Sequence, residues 1–146
     1  MISSSTFIKD IVLFIRSYLR LNITDPLGRS DAFVFTSFPK KNTVYPLITI
    51  RNTGSKVSRL GMQSSSCWAD VKIEIRVWAR NAAEVDSLSQ NVTETLRNAQ
   101  FASAGTVNEQ IFNFQLLNMN YLVEELGDQS IHSKIMTYNY NTILTT

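Results

Sequence analysis

Apolar residues recur along this chain with two different periods, and the places where the period changes mark its elements. Phe7, Ile8, Ile11, Val12, Ile15, Tyr18 and Leu19 form one stripe at helical spacing, with Lys9, Asp10, Arg16 and Ser17 mostly off it. Ser5 or Thr6 supplies a hydroxyl able to accept one of the free N–H groups at the start of this helix. The stripe stops near Asn22, and Asp25-Pro26-Leu27-Gly28 reads as a turn, because Pro fixes φ and Gly tolerates positive φ. Ala32 to Ser37 is a strand of aromatic and branched residues, followed by a turn at Pro39-Lys40-Lys41-Asn42. Leu47 to Arg51 is a second strand, entered through Tyr45-Pro46, where a missing N–H costs least.

Strict alternation is clearest from Val71 to Trp78. Val71, Ile73, Ile75 and Val77 point one way, and Lys72, Glu74, Arg76 and Trp78 the other. Asn81 followed by Glu84 has the spacing of a capping box. Val85, Leu88, Val92, Leu96 and Ala99 are then the inward stripe of a second helix, which ends within Phe101 to Gly105. Ile111 to Asn118 alternates again, with Phe112, Phe114 and Leu116 on one side. Tyr121 to Leu126 fits neither period, Gly127-Asp128 is a turn, and Lys134 to Tyr140 alternates with Met136, Tyr138 and Tyr140 together.

Asn52 to Ala69 has no clean period. It is rich in Gly and Ser and carries Lys56 and Arg59, so it is expected to be a long polar loop with a binding role. Two irregular strand extensions around a turn near Gly61 fit the same residues. The order is α-β-β-β-α-β-β. Helices that do not alternate regularly with strands point to an α+β fold with a mixed or antiparallel sheet. With no internal repeat or linker, residues 1–146 are expected to form a single domain.

Composition changes this picture little until it is resolved along the chain. The chain has 146 residues; 44% hydrophobic is ordinary for a folded domain, and 18% charged is on the low side, which argues against a disordered, self-repelling chain. Its net charge of +2 is uneven. Up to Leu60, nine cations face three carboxylates, a net of +6; after it, five cations face nine carboxylates, a net of −4. Such a split suits nucleic acid on one side or head-to-tail docking of identical subunits, unless the two halves intermix their charges on the folded surface. The apolar run Ile11 to Ile15 is bounded by charge and far shorter than the roughly 20 residues that cross a bilayer, so no membrane partner is expected. A lone Cys67 suits a reducing compartment.

The same residues make catalysis and metal chemistry poor expectations. Cys67 and His132 cannot fill the three or four positions that zinc takes. No Asp-rich loop offers a site for calcium. Ser64 to Ser66 with His132 would be a triad without a nucleophile elbow, and neither phosphate-binding glycine motif occurs. No catalytic residue, metal or cofactor is therefore assigned. The residues that could make contacts are basic: Arg51, Lys56 and Arg59, with Lys40 and Lys41 in the preceding turn.

Taken in order, these segments resemble the tail terminator (tail completion) proteins of long-tailed bacteriophages, the lambda-like tail-terminator and minor-tail-protein group. Tyr45-Pro46-Leu47-Ile48-Thr49-Ile50 is similar to their strand entry, and a polar Gly/Ser loop follows. Val71 to Ala79 resembles their long central strand, running into a helix with Ala82, Ala83, Glu84 and Leu88. Ile131-His132-Ser133-Lys134 resembles the lead into their last strand. The resemblance implies a hexameric ring that caps the tail tube, stops its polymerisation and meets the head–tail connector protein. Genomic DNA would pass through the lumen and touch the ring without sequence preference. The chain would then reside in the virion tail or neck, after assembly in the host cytoplasm. The other readings are a head–tail connector or neck protein, and a small non-specific nucleic-acid-binding module.

Overall fold

A computed structural model describes residues 7–29, 33–39, 43–61, 66–101 and 112–144. Two helices and five strands follow one another as α1 (Phe7–Asn22), β1 (Val34–Phe35), β2 (Leu47–Arg59), β3 (Cys67–Ala79), α2 (Ala82–Phe101), β4 (Phe112–Leu126) and β5 (Gln129–Leu144). The fold is α+β, in the order expected from the periods. The strands form one mixed sheet in the order β1-β2-β3-β5-β4. Only β1 runs parallel to its neighbour, and all other pairs are antiparallel.

β3 is the middle of the sheet and owes that place to its alternation. Ala69, Val71, Ile73, Ile75, Val77 and Ala79 are all fully buried on one face. Register carries that face into β2 through Ile48 opposite Val77 and Ile50 opposite Ile75. It carries it into β5 through Met136, Tyr138 and Tyr140, opposite Ile75, Ile73 and Val71. The inward residues of both helices complete one core: Ile11, Ile15 and Leu19 from α1, and Val85, Leu88, Val92 and Leu96 from α2. α1 lies over β1 and β2, and α2 lies over β3 and β5. The fourth layer position, above β4, has no helix among the described residues.

The ends of the elements are held as their sequences require. Asn81 Oδ1 accepts the Glu84 N–H at 2.8 Å, the first half of the capping box. The return bond goes one residue further back than the motif has it: Glu84 accepts the Arg80 N–H at 3.2 Å and pairs with the Arg80 guanidinium. After α1, Asp25 accepts from the Leu27 N–H, the Arg29 N–H and the Arg29 guanidinium, and Gly28 closes the turn at φ 59°. Arg29 in turn donates to the carbonyls of Val44 and Pro46, tying the α1–β1 connection to the start of β2. The Tyr45-Pro46 peptide bond is cis. Gly127, at φ 62°, makes the tight turn that returns β4 as β5.

Three expectations are corrected. The first strand is far shorter than Ala32 to Ser37: only Val34 and Phe35 pair with β2, and the chain bends at Thr36 and Ser37. The polar segment Asn52 to Ala69 is not a loop over most of its length. Asn52 to Arg59 pairs with Cys67 to Ile73, giving a long two-stranded arm with a bulge between Asn52 and Gly54. Backbone pairing needs no apolar alternation, so a polar segment whose partner strand is already fixed can continue the ladder. Tyr121 to Leu126 is strand, the second half of β4. The proposed caps Ser5 and Thr6, the Pro39 turn's Lys40, Lys41 and Asn42, and the Ala102 to Gly105 helix end lie outside the described residues.

Candidate assembly surface

The sheet presents two strand edges, and they differ in kind. On one side, β1 covers only the start of β2, through Ile48 and Thr49. From Ile50 to Arg59 no described strand pairs with the outer edge of β2. Arg51, Lys56 and Arg59 lie along that edge, and all three are exposed. They do not gather into one site. Arg51 and Lys56 are five residues apart on the outer face, a separation of about 17 Å at strand rise. Arg59 projects to the other face, since the register places it opposite Cys67 in line with Ala69. Arg51 is held by Glu74 at 3.0 Å. The remaining two expected contact residues, Lys40 and Lys41, lie outside the described residues.

On the other side, no described strand pairs with the outer edge of β4. From Phe112 to Val123 it holds no charged residue. Leu116, Leu117, Met119, Tyr121, Leu122 and Val123 are exposed there, each between 37% and 47% of its full surface. An edge strand without charge, proline or cover is a template for another strand, because its outward N–H and C=O groups have no partner. Sequence periodicity passed over this strip because consecutive apolar residues belong to opposite faces. Bulges between Phe112 and Gln115, and between Leu116 and Asn118, shift the alternation. The signal that was available is the absence of charge over those residues.

The outer face of the sheet is polar and locked rather than open for chemistry. Arg76 stacks 3.8 Å over the Trp78 ring and donates to Glu124 at 2.8 Å and Ser133 at 3.1 Å, bridging β3 to β5 and β4. Trp78 donates to Thr49 at 3.2 Å and meets the edge of Phe38. Asp70 accepts from Trp68 at 3.2 Å and from Asn141. These bonds fix the twist and register of the strands that carry both edges.

The remaining chemical groups do not converge. Among the described residues no three of His, Cys, Asp and Glu gather at metal-binding distance. Ser66 lies at the Cys67 end of β3, whereas His132 pairs with Ala79 at its other end, about 40 Å away at strand rise. That separation excludes a Ser66–His132 pair; Ser64 and Ser65 lie outside the described residues. His132 Nδ1 is instead hydrogen-bonded to the Tyr121 hydroxyl on β4. No described helix is long and apolar enough to cross a membrane.

No family model matches the chain, and no curated protein matches it either. The reading of its surface rests on its own geometry.

Charge placement on the fold gives that geometry a direction. Of the five ion pairs among the described residues, only Arg51–Glu74 joins the cationic first part to the acidic remainder. The other four join residues of the same part. Two of the cations in the first part act internally. Arg29 serves the Asp25 clip, and Arg20 donates twice to the Val34 carbonyl, at 3.0 and 2.6 Å. Asp25 is held below the usual carboxylate range, chiefly by the hydrogen bond from Arg29. Glu84 is lowered in the same way by Arg80.

Proposed function

We propose that the chain is a structural virion protein whose copies form a ring on the end of a tail tube, end its polymerisation and join it to the head connector. One observation carries this reading: the sheet has two unlike open edges at opposite ends of its strand order, one cationic and one apolar. Unlike patches on opposite flanks are what head-to-tail addition requires, and head-to-tail addition closes into a ring when the rotation per subunit divides a full turn. The resemblance of the segment order to tail terminators gives the ring its place.

Mixing the purified protein with tail tubes and imaging the ends by electron microscopy tests the reading. A six-fold ring at one end of each tube, with tubes that no longer elongate, is the expected result. Protein that never joins a tube end would remove the reading. A nucleic-acid-binding module is favoured by one observation, the string of exposed cations on the arm. That reading requires a duplex shift that weakens steeply with salt. The placement of Lys56 and Arg59 on opposite faces of the strand speaks against a single phosphate track.

A further inference from the structure

The sheet is one strand wider than the helices that cover it. α1 covers β1 and β2, α2 covers β3 and β5, and β4 extends past them. The uncovered step forms a groove of about 420 Å3 between α2 and β4. Its helical wall includes Asp86, Thr93, Glu94 and Arg97, and its floor includes Met119 and Lys134. Lys134 is held at 2.6 Å by Asp86, so the floor carries little free charge.

We propose that this step is the seat of a second copy of the chain, whose β2 arm adds to the open edge of β4 and whose α1 comes to lie above the groove. Four observations lead there. First, strand direction: β2 and β4 run opposite ways across the sheet, because three antiparallel pairings separate them. A neighbour in the same orientation therefore brings its β2 antiparallel to β4, with hydrogen bonds perpendicular to the strands. Second, charge: residues 51–59 carry Arg51, Lys56 and Arg59 with no acid, a net of +3. Residues 112–123 of β4 carry no charge, and they include the residues level with Ile50 to Lys56 across the sheet. Beside them the cations meet no like charge, while two β2 edges would set like charges against like. Third, layering: α1 sits over β2, so a sheet continued from β4 into the neighbour's β2 carries that α1 onto the face where β4 lacks a helix. Fourth, completeness: pairing β4 with β4 would leave the Ile50 to Arg59 edge open on both copies, whereas β4 with β2 satisfies both edges at every contact. Each addition then presents the same open edge as the last, so growth continues until the ring closes.

This inference deepens the proposed ring by naming its contact. Site-specific cross-linking of the full-length chain tests it, on a Cys67→Ser background, with Ser55→Cys on β2 and Leu117→Cys on β4. A short bismaleimide is added at concentrations where sedimentation velocity detects association. The double variant is expected to give a ladder of dimers, trimers and higher species on denaturing gels, and each single variant only monomer. Dimers from Leu117→Cys alone would mean β4-to-β4 pairing and would overturn the proposal. So would the absence of cross-links in all three proteins, or the absence of any association. Leu117→Lys with Leu122→Lys should weaken self-association at least tenfold at unchanged circular dichroism and melting temperature. Association unchanged in that variant would also overturn the proposal. A ladder from protein that never caps a tube would remove the tail reading and leave the contact standing. Rings on tubes without the ladder would do the reverse.

Discussion

β3 and β4 lie two strands apart in one sheet, and they have opposite fates. Both are long, 13 and 15 residues, and both are rich in apolar side chains. β3 is flanked by strands on both sides and roofed by α2, and every second residue from Ala69 to Ala79 is fully buried. Among the described residues β4 has one neighbouring strand and no helix above it, and six of its large apolar side chains are exposed. Burial here follows the position of a strand in the sheet and its cover, more than its apolar content. Apolar surface that an isolated chain keeps in water marks where something else is meant to lie. In β3 an apolar side chain holds the fold together, and in β4 the equivalent side chain stays in water, where the proposed contact would cover it.

The sharpest way to break this comparison is to shorten one side chain on each strand. Ile75→Ala should destabilise the protein by about 2–5 kcal/mol, since it leaves a cavity between β3 and the helices. Leu117→Ala should change stability by no more than about 0.5 kcal/mol, as exposed substitutions usually do. Urea denaturation midpoints of the two variants measure the contrast. Equal losses would mean that β4 already belongs to the core.

The next largest effect concerns the cationic edge. Its base is fastened by Asp25 and Arg29, whose side chains are mostly buried and which reach across to Pro46. Asp25→Asn removes the charge from four hydrogen bonds and should cost about 1.5–3 kcal/mol, measured by the same denaturation. Because the folded carboxyl lies below its unfolded value, its contribution is present above the unfolded carboxylate pKa of about 3.9. It is lost as pH falls through the folded value. Glu84 acts in the same direction. Melting temperature should therefore fall with acid more gently in Asp25→Asn than in the parent.

Smaller still is the cap that sets α2 over the centre of the sheet. Asn81→Ala should cost about 1 kcal/mol by freeing the Glu84 N–H. The smallest change lies on β5, between the two strands compared. The Tyr140 hydroxyl is buried with no hydrogen-bond partner among the described residues, and burial pushes its pKa well up. Tyr140→Phe should leave stability unchanged or raise it by up to about 1 kcal/mol, read as a small rise in melting temperature.

What the sequence made legible divides along the same line. The inward sets of α1, α2, β3 and β5 were readable because each packs against a full layer, which imposes a strict period on it. The β2 arm was readable only as the second of two alternatives, strand extensions beside a loop, because its residues Asn52 to Arg59 face water on at least one side and its pairing is set by β3. β4 was half readable: Phe114 follows the alternation and is buried, but the bulges and the exposed pairs Leu116–Leu117 and Leu122–Val123 erase it further on. Of the contact residues, Arg51, Lys56 and Arg59 were visible as charges, and the fold added that they lie along one open edge. Their apolar counterpart on β4 escaped notice because an exposed apolar strip looks, in sequence alone, like any buried strand.

Amide hydrogen exchange, compared between the isolated chain and its assembled form, tests the central claim most directly. β3 should be protected in both states. Residues 112–123 of β4 and residues 50–59 of β2 should exchange quickly in the isolated chain and become protected together on assembly. Assembly that protects neither edge, or β4 without β2, would contradict the account.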